Sequence, residues 1–383
     1  MGKTKKRKFL YPLRKHNTFR LHVDSAQYYP RLLESIKQAK NFIVIEQYLV
    51  ESGHHTSKLI KALLGAANRE VAVLLLFDDF GATGLNEHDR QLLQQKNIQL
   101  VFYNPIRYRR WRSNLKRDHR KLVIIDNLFG MTGGAGFTDD FDNENNTNPW
   151  HDIMIEVSGP VLNDWLASFI SIWQQYNDIP QQVTNSPSAK SAGEMSGRLV
   201  VTQPPMHHGI SRSVINHIQR SNQHVWLATP YFVISRKLRR TLIRAAKRGV
   251  DTRLLLPSDN SDHPWVTHAF HNYYDKLLKH GVRIFEYQVR FIHAKIIYCD
   301  QWTTIGSSNL DRWNERWNLD ANQEIENAEF CRVVKHFFDD DFSQSHEITL
   351  TAWRQRSWLK RLREIFSRQL VLILEMIGRS RRY

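Results

Sequence analysis

The sequence predicts an α/β protein of two pseudo-symmetric lobes, each a mixed β-sheet flanked by α-helices. Three observations lead there: an order of elements that occurs twice, apolar runs of buried-strand character, and a linker-like stretch between the two copies. The chain of 383 residues is long enough for two lobes, and 41% apolar and 11% aromatic residues can fill their cores.

In the first copy the strand run 42–50 precedes an amphipathic helix over 57–68, a strand over 71–77, a helix over 87–96 and a strand over 98–103. In the second, strand 224–233 leads to helix 236–247, strand 250–256, helix 268–279 and strand 282–287. Gly249 and Gly281 stand just past their helices, where a residue of positive φ ends a helix. Residues 181–197 are rich in Ser, Gln, Asn and Ala and poor in large apolar side chains, which is linker composition. The expected organisation is a basic segment 1–20, a first lobe 21–180, the linker 181–197, a second lobe 198–350 and a basic amphipathic tail 351–383.

Cys299 and Cys331 fit neither a disulfide framework nor a zinc spacing. The basic start lacks the apolar segment of a secretory signal, and no run of eighteen apolar residues offers a membrane span. His207, His208, His263, His268 and His271 have no carboxylate or cysteine spacing to match, so no metal and no cofactor are expected. The net charge is +16, and residues 1–20 and 353–383 together carry +15 of it. Charged ends on a near-neutral body suit an anionic membrane surface better than duplex nucleic acid.

The chemistry is carried by two related motifs. The first reads His119-Arg-Lys121-Leu-Val-Ile-Ile-Asp126 and leads to Gly133-Gly134; the second reads His293-Ala-Lys295-Ile-Ile-Tyr-Cys-Asp300 and leads to Gly306-Ser307-Ser308-Asn309. On a strand, residues two apart share a face, so His119 points with Lys121, and His293 with Lys295. Asp126 and Asp300 follow at an odd offset and face away, which favours a structural role for both. The small residues of the turns, Gly134 and Ser307 among them, leave backbone N–H groups open to a phosphate oxygen.

These paired His-x-Lys-x4-Asp motifs resemble the HKD motifs of the phospholipase D superfamily. Thr229-Pro-Tyr-Phe232, Arg248-Gly-Val-Asp251 and Gly306-Ser-Ser-Asn309-Leu-Asp311 resemble its bacterial cardiolipin synthase branch, in the shorter form without N-terminal membrane helices. The resemblance covers nearly all of residues 40–350 and implies one active site shared between the lobes. It implies His119, Lys121, Asp126, His293, Lys295 and Asp300 as the catalytic set, with Asn309, Ser307 and Gly134 at the substrate. It also implies metal-free transfer through a phospho-histidine, formed on His119 with His293 as acid and base. Lys121, Lys295 and Asn309 would hold the phosphate oxygens. An acidic residue orients each histidine in such enzymes; Asp320 fits that place for His293, and Asp152 is the first-half candidate for His119.

Two departures stand out. Gly136 occupies the place of the family's phosphate-binding Asn in the first motif, and the second hairpin is one residue shorter than usual between Asp300 and Gly306. A shortened hairpin shifts register unless the turn absorbs it, which leaves the placement of Asn309 open.

Three other stretches each allow two readings. Residues 107–121, with Tyr108 and Trp111 among eight cations, read as a basic aromatic lip beside His119 or as a solvated loop. Glu46 reads as a paired core acid or as a cavity residue. The tail stripe Leu359, Leu362, Phe366, Leu370, Ile373, Ile377 reads as an in-plane membrane helix or a helix docked on the core.

The expected function is a phosphatidyltransferase making cardiolipin from phosphatidylglycerol and a second lipid alcohol. A phospholipase D-type hydrolase or a nuclease with the same site is the alternative. Expected partners are phospholipids and an anionic membrane surface, with no nucleic acid. The expected place is the cytoplasmic side of the inner membrane, peripherally bound; the oligomeric state is left open.

Overall fold

Strand runs of Val, Ile and Leu that are apolar on both faces need cover on both faces, and the protein supplies it as stacked layers. A computed structural model describes residues 11–107, 113–204, 207–258, 261–262 and 264–356. In the first lobe the strands Phe42–Gln47, Ala72–Asp78 and Ile98–Tyr103 run parallel, with Phe42 opposite Ala72 and Val73 opposite Ile98. On the other side of Phe42–Gln47 follow four antiparallel neighbours: Leu122–Ile125, Phe129–Gly133, Ile153–Ser158 and Arg14–Val23.

The second lobe repeats this order. Arg283–Tyr287, Asp251–Pro257 and His224–Ala228 are parallel, and Ile296–Cys299, Trp302–Gly306, Asn318–Glu326 and Met195–Gln203 complete the sheet antiparallel. An extra strand, Ser345–Ile348, pairs with Arg283–Tyr287.

The helices Val161–Trp173 and Ala328–Ser343 contribute Trp165, Phe169, Trp173, Phe330, Val334 and Phe338 to one buried cluster that draws on both sheets. They are the inner layer between the lobes. The outer faces carry Ser25–Gln38 and His54–Asn68 in one lobe, and Gly209–Arg220 and Arg236–Lys247 in the other.

The repeat of strand, helix and strand stands as the sequence predicts, with corrected ends. The strand expected over 42–50 stops at Gln47, and the one over 224–233 stops at Ala228, ahead of Pro230, which has no N–H for a ladder. The helix expected over 268–279 is two helices, Pro264–His271 and Tyr274–Leu278. Residues 14–20 of the expected basic segment lie in strand Arg14–Val23, and Met195 to Gly197 of the expected linker lie in strand Met195–Gln203. The amphipathic stripe of the tail, from Leu359 on, lies outside the described residues.

Charge in the body is also unevenly placed. No acid occurs between Glu194 and Asp251, and the helix Arg236–Lys247 carries Arg236, Lys237, Arg240, Arg244 and Lys247 exposed.

An ionic cluster ties the lobes together, with Arg290 of the second lobe also paired to Asp24 of the first. His151, buried and stacked on Tyr287, has its Nδ1 2.8 Å from Asp24 and its Nε2 3.1 Å from Asp341. Burial disfavours the charged ring, but hydrogen bonds to two carboxylates outweigh it and raise its pKa to about 9. A raised value stabilises the fold fully below the unfolded pKa near 6.5, and that stability is lost as pH rises through about 9, about 3 kcal/mol in all. Calorimetry should therefore show the wild type losing stability between about pH 7 and 9, and His151→Gln, already less stable at pH 7, losing much less over the same window. Equal slopes for the two proteins would remove His151 from this role.

Candidate active site

Each motif histidine is placed by a backbone hydrogen bond to the opposite lobe. Arg117 and Asp118 pair in parallel with Asn318 and Leu319, and the His119 N–H donates to the Leu319 carbonyl at 2.9 Å. In the mirror arrangement, His151 bridges to Ile292, and the His293 N–H donates to the His151 carbonyl at 2.7 Å. The residue after each acceptor is a buried aspartate. Asp320 therefore accepts from His119 Nδ1 at 3.0 Å, and Asp152 from His293 Nδ1 at 2.6 Å.

This corrects the expected pairing. Asp320 serves His119 rather than His293, and Asp152 serves His293 rather than His119, because the chain crosses between lobes at both motifs. The two pairs also differ in support. Ser307, expected at the substrate, is fully buried and donates its hydroxyl to Asp320 at 2.8 Å. The equivalent Gly134 has no side chain to offer: a Cβ there would lie 2.3 Å from Asp152 Oδ1. Asp152 instead accepts the Ile153 N–H at 2.7 Å.

Asp126 and Asp300 stand apart from this chemistry, which corrects their place in the catalytic set. Asp126, at φ 52°, accepts the N–H groups of Lys40, Asn41 and Phe42, each at 2.8 Å. Asp300, at φ 54°, accepts those of Asn222, Gln223 and His224 at 2.9, 3.2 and 2.8 Å. Both fasten the start of a central strand at the end of the hairpin strand away from the histidine.

The shortened hairpin leaves the register intact. Leu122 faces Thr132 across a turn of three residues, Asp126 to Leu128; Ile296 faces Ile305 across a turn of two, Asp300 and Gln301. The missing residue is absorbed in the turn, and Asn309 lines the cavity, buried, with its Oδ1 free of partners among the described residues. Gly136 lines the same cavity from the other motif, where a Cβ would meet Leu49 at 3.0 Å.

That cavity measures about 990 Å³ and is lined by His119, Lys121 and Gly134 from one lobe and His293 and Asn309 from the other. Tyr48 packs edge-on to His119 at 4.9 Å between ring centres, and Trp150 lies 5.0 Å from His293. By area the wall is largely apolar, with Leu49, Leu115, Val233 and Val266, although Glu51, Asp140, Asp262 and Asp311 also line it; Phe80, Ile106 and Trp313 are exposed members of the lining.

Of the cation-rich run 107–121, Tyr108 and Trp111 lie outside the described residues. Arg117 and Arg120 are buried and paired: Arg117, which also lines the cavity, bonds Asp78 at 3.3 Å, and Arg120, which does not, bonds Asp118 at 3.2 Å and Glu46. Glu46 is thereby the paired core acid. Away from the cavity, His54, Asp142 and Glu144 bring potential metal-ligand atoms within 4.8 Å of one another. Asp142 already accepts from His54 at 2.7 Å, and Glu144 pairs with Lys58.

Burial dominates the electrostatics. It lowers the His119 pKa to about 4, helped by the charge of Lys121, and holds His293 well below its ordinary value, helped by Lys295. It lowers Lys121 to about 7 and Lys295 to about 8. Each lysine reaches back along its own motif: Lys121 Nζ donates to the His119 carbonyl at 3.0 Å, and Lys295 Nζ to the His293 carbonyl at 2.6 Å. Burial pushes Asp152 up to about 7, whereas at Asp320 the His119 and Ser307 hydrogen bonds overcome burial and hold the pKa below the ordinary carboxylate value. One pair thus combines a neutral imidazole with a firm carboxylate. The other, whose carboxylate titrates near neutrality, can retain a proton to give. Two buried lysine amines beside them, whose charged forms a bound anion would favour, make a place for one.

Sequence reasoning passed over Tyr48, Trp150, Asn314 and Asn318, which also line the cavity. Asn318 carried a usable signal, since it shares a strand face with Asp320.

Gly134→Ser tests the first-half turn directly. The added side chain must displace the Asp152 carboxylate from His293, so turnover should fall about a hundredfold or more while the unfolding transition moves little. Near-normal turnover from this variant would show that the close approach of Asp152 is dispensable.

With the geometry established, the chain can be set beside known proteins. A family model described as "Cardiolipin synthase, PLD-like domain" matches residues 32–173 and 214–342, one segment in each lobe. Cardiolipin synthase 1 of Bacillus anthracis is 29% identical over 377 residues, covering 95% of this chain and 74% of that protein. The probable cardiolipin synthase YwiE of Bacillus subtilis (strain 168) is 27% identical over 346 residues, covering 89% and 69%. The crystal structure of phosphatidylserine synthase from Haemophilus influenzae Rd KW20 shares the fold at a TM-score of 0.71 and 12% identity, over 94% of this chain and 93% of that one. Polyphosphate kinase from Porphyromonas gingivalis shares it at 0.62 and 14%, over 88% and 49%. The model's match to both halves and the two crossed histidine–aspartate pairs lead to one conclusion: the chain belongs to the cardiolipin synthase-like family of phospholipase D superfamily enzymes.

Proposed function

We propose that this enzyme transfers a phosphatidyl group from phosphatidylglycerol to a second lipid alcohol, giving cardiolipin and glycerol. The observation that carries the reading is the single cavity on which two imidazoles converge, each with Nδ1 committed to a carboxylate, His293 Nε2 lying 3.1 Å from Lys295 Nζ.

His119, neutral at physiological pH and backed by Asp320, attacks phosphorus through Nε2. The phosphorus–oxygen bond to the headgroup glycerol breaks, and His293 gives that alkoxide a proton. The acceptor hydroxyl then attacks phosphorus, His293 takes its proton, and the phosphorus–nitrogen bond to His119 breaks. Lys121, Lys295 and Asn309 hold the non-bridging oxygens and offset their growing charge. The apolar wall disfavours water, the competing nucleophile.

Purified protein with phosphatidylglycerol vesicles should yield cardiolipin and glycerol, with phosphatidic acid minor, by mass spectrometry. His119→Ala and His293→Ala should each remove nearly all turnover, the double variant being little worse than either. Phosphatidic acid alone across several donors and alcohols would make the enzyme a hydrolase, and cleavage of single-stranded DNA without lipid turnover a nuclease. A phospho-enzyme trapped only on His293 would reverse the two histidine roles.

The same reading sets the cavity mouth against an anionic bilayer, at the cytoplasmic side of the inner membrane. Phe80, Ile106 and Trp313, 54%, 41% and 37% exposed, would meet the lipid at the cavity's rim. The helix Arg236–Lys247 starts three residues beyond Val233 of the cavity wall, and Arg236, Arg240, Arg244 and Lys247 form a stripe on its outer side. Each such cation is worth about 1 kcal/mol at an anionic surface. Arg240→Gln/Arg244→Gln/Lys247→Gln should weaken sedimentation with phosphatidylglycerol vesicles at least tenfold, and action on detergent-dispersed lipid far less. Unaltered sedimentation would leave attachment to other segments.

A further inference from the structure

The second half-reaction needs an acceptor held in place, and the cavity contains unspent polar groups suited to one kind of acceptor. Along the strand Asn318–Glu326 alternate side chains share a face, so Asn318 points to the same side as Asp320, the partner of His119. Asn318 Nδ2 donates to Asn314 Oδ1 at 2.6 Å. Both side chains line the cavity, and both residues are only 6% exposed.

Two carboxamides that share one hydrogen bond keep one NH2 and one carbonyl unspent, whichever way round each is turned. Here these are Asn314 Nδ2 and Asn318 Oδ1, and neither has a partner among the described residues. Buried polar atoms are normally paired, so an adjacent donor and acceptor without partners, on two residues that line the cavity, mark a place for a ligand group. The pair is also fixed in position. The Asn314 N–H donates to Asp311 Oδ1 at 2.8 Å, and the next residue along from Asn318, Leu319, accepts from His119.

A hydroxyl both donates and accepts, and so answers both open groups. An ammonium would set donors against Asn314 Nδ2, and a carboxylate would set acceptors against Asn318 Oδ1.

We propose that Asn314 and Asn318 form the recognition site for a second hydroxyl of the acceptor, selecting polyol headgroups over simple or amino alcohols. In a glycerol headgroup one hydroxyl lies between the amides while the terminal one attacks phosphorus. His293 takes the terminal proton, and the bond from phosphorus to His119 breaks. The inference rests on the transferase reading and names its acceptor class.

The test is an internal competition. Full-length enzyme with detergent-dispersed phosphatidylglycerol is offered deuterated glycerol and n-propanol at equal concentration, and the labelled phosphatidylglycerol and phosphatidylpropanol are weighed against each other by mass spectrometry. The ratio does not depend on how much active enzyme survives a substitution. The wild type should favour glycerol by about tenfold or more, since a site that hydrogen-bonds a hydroxyl rejects the analogue lacking it. Asn314→Leu and Asn318→Leu should bring the ratio close to one. Asn318→Asp, nearly the same shape, should raise use of ethanolamine relative to glycerol at least tenfold by placing a carboxylate where the neutral carbonyl stood. Transfer by the wild type without preference, or ratios unmoved in all three variants, would overturn this proposal alone. Absence of any transfer would overturn the transferase reading and this one with it.

Discussion

The site depends on two backbone hydrogen bonds, His119 N–H to Leu319 and His293 N–H to His151. Each joins a motif in one lobe to the segment that carries an aspartate in the other. The hydrogen bonds are ordinary in strength, about 1 kcal/mol net. Their importance is geometric: they set two imidazoles against carboxylates that would otherwise be far apart in the fold, and they do so from extended segments held by packed sheets. The inner helices and the His151 contact between Asp24 and Asp341 hold the lobes at the distance this requires.

Pseudo-symmetry of the backbone does not extend to the chemistry. Ser307 supports Asp320, while Gly134 leaves room for Asp152 and gives it no hydroxyl. Asn309 faces the cavity on one side and Gly136 on the other. Burial acts on both pairs, yet the carboxylate pKa values are driven in opposite directions, one below the ordinary range and one up to about 7. A reaction that first needs a nucleophile and an acid, and then a base, is served by such inequality.

Much of this was legible in the residues. The repeated strand–helix–strand order and the two motifs gave the lobes, the four His and Lys positions and the outward turn of Asp126 and Asp300. What escaped was whatever depends on tertiary pairing. The carboxylate exchange could not be read because Asp320 follows its own lobe's motif in sequence, and nothing local reports that Leu319 pairs with the other lobe. The strand Arg14–Val23 escaped for a similar reason: its charged residues read as part of a basic end suited to an anionic membrane surface, whereas Arg14 pairs with Asp164 and Asn17 bonds backbone carbonyls. The short hairpin raised a doubt about register that only the observed turn lengths resolve.

The exchange of carboxylates also bears on how such a chain arises and how it is allowed to change. An arrangement in which each half completes the other's histidine is what a two-fold dimer of identical halves would make, with its axis passing through the cavity. Joined in one chain, the halves no longer have to match. Ser307 against Gly134, and Asn309 against Gly136, are differences that a symmetric dimer could not hold, because each change would fall on both sides at once. Fusion therefore gives such a site the freedom to become two unequal half-sites. It also binds the halves to a common fate, since a change at Asp152 is felt in the second lobe and a change at Asp320 in the first.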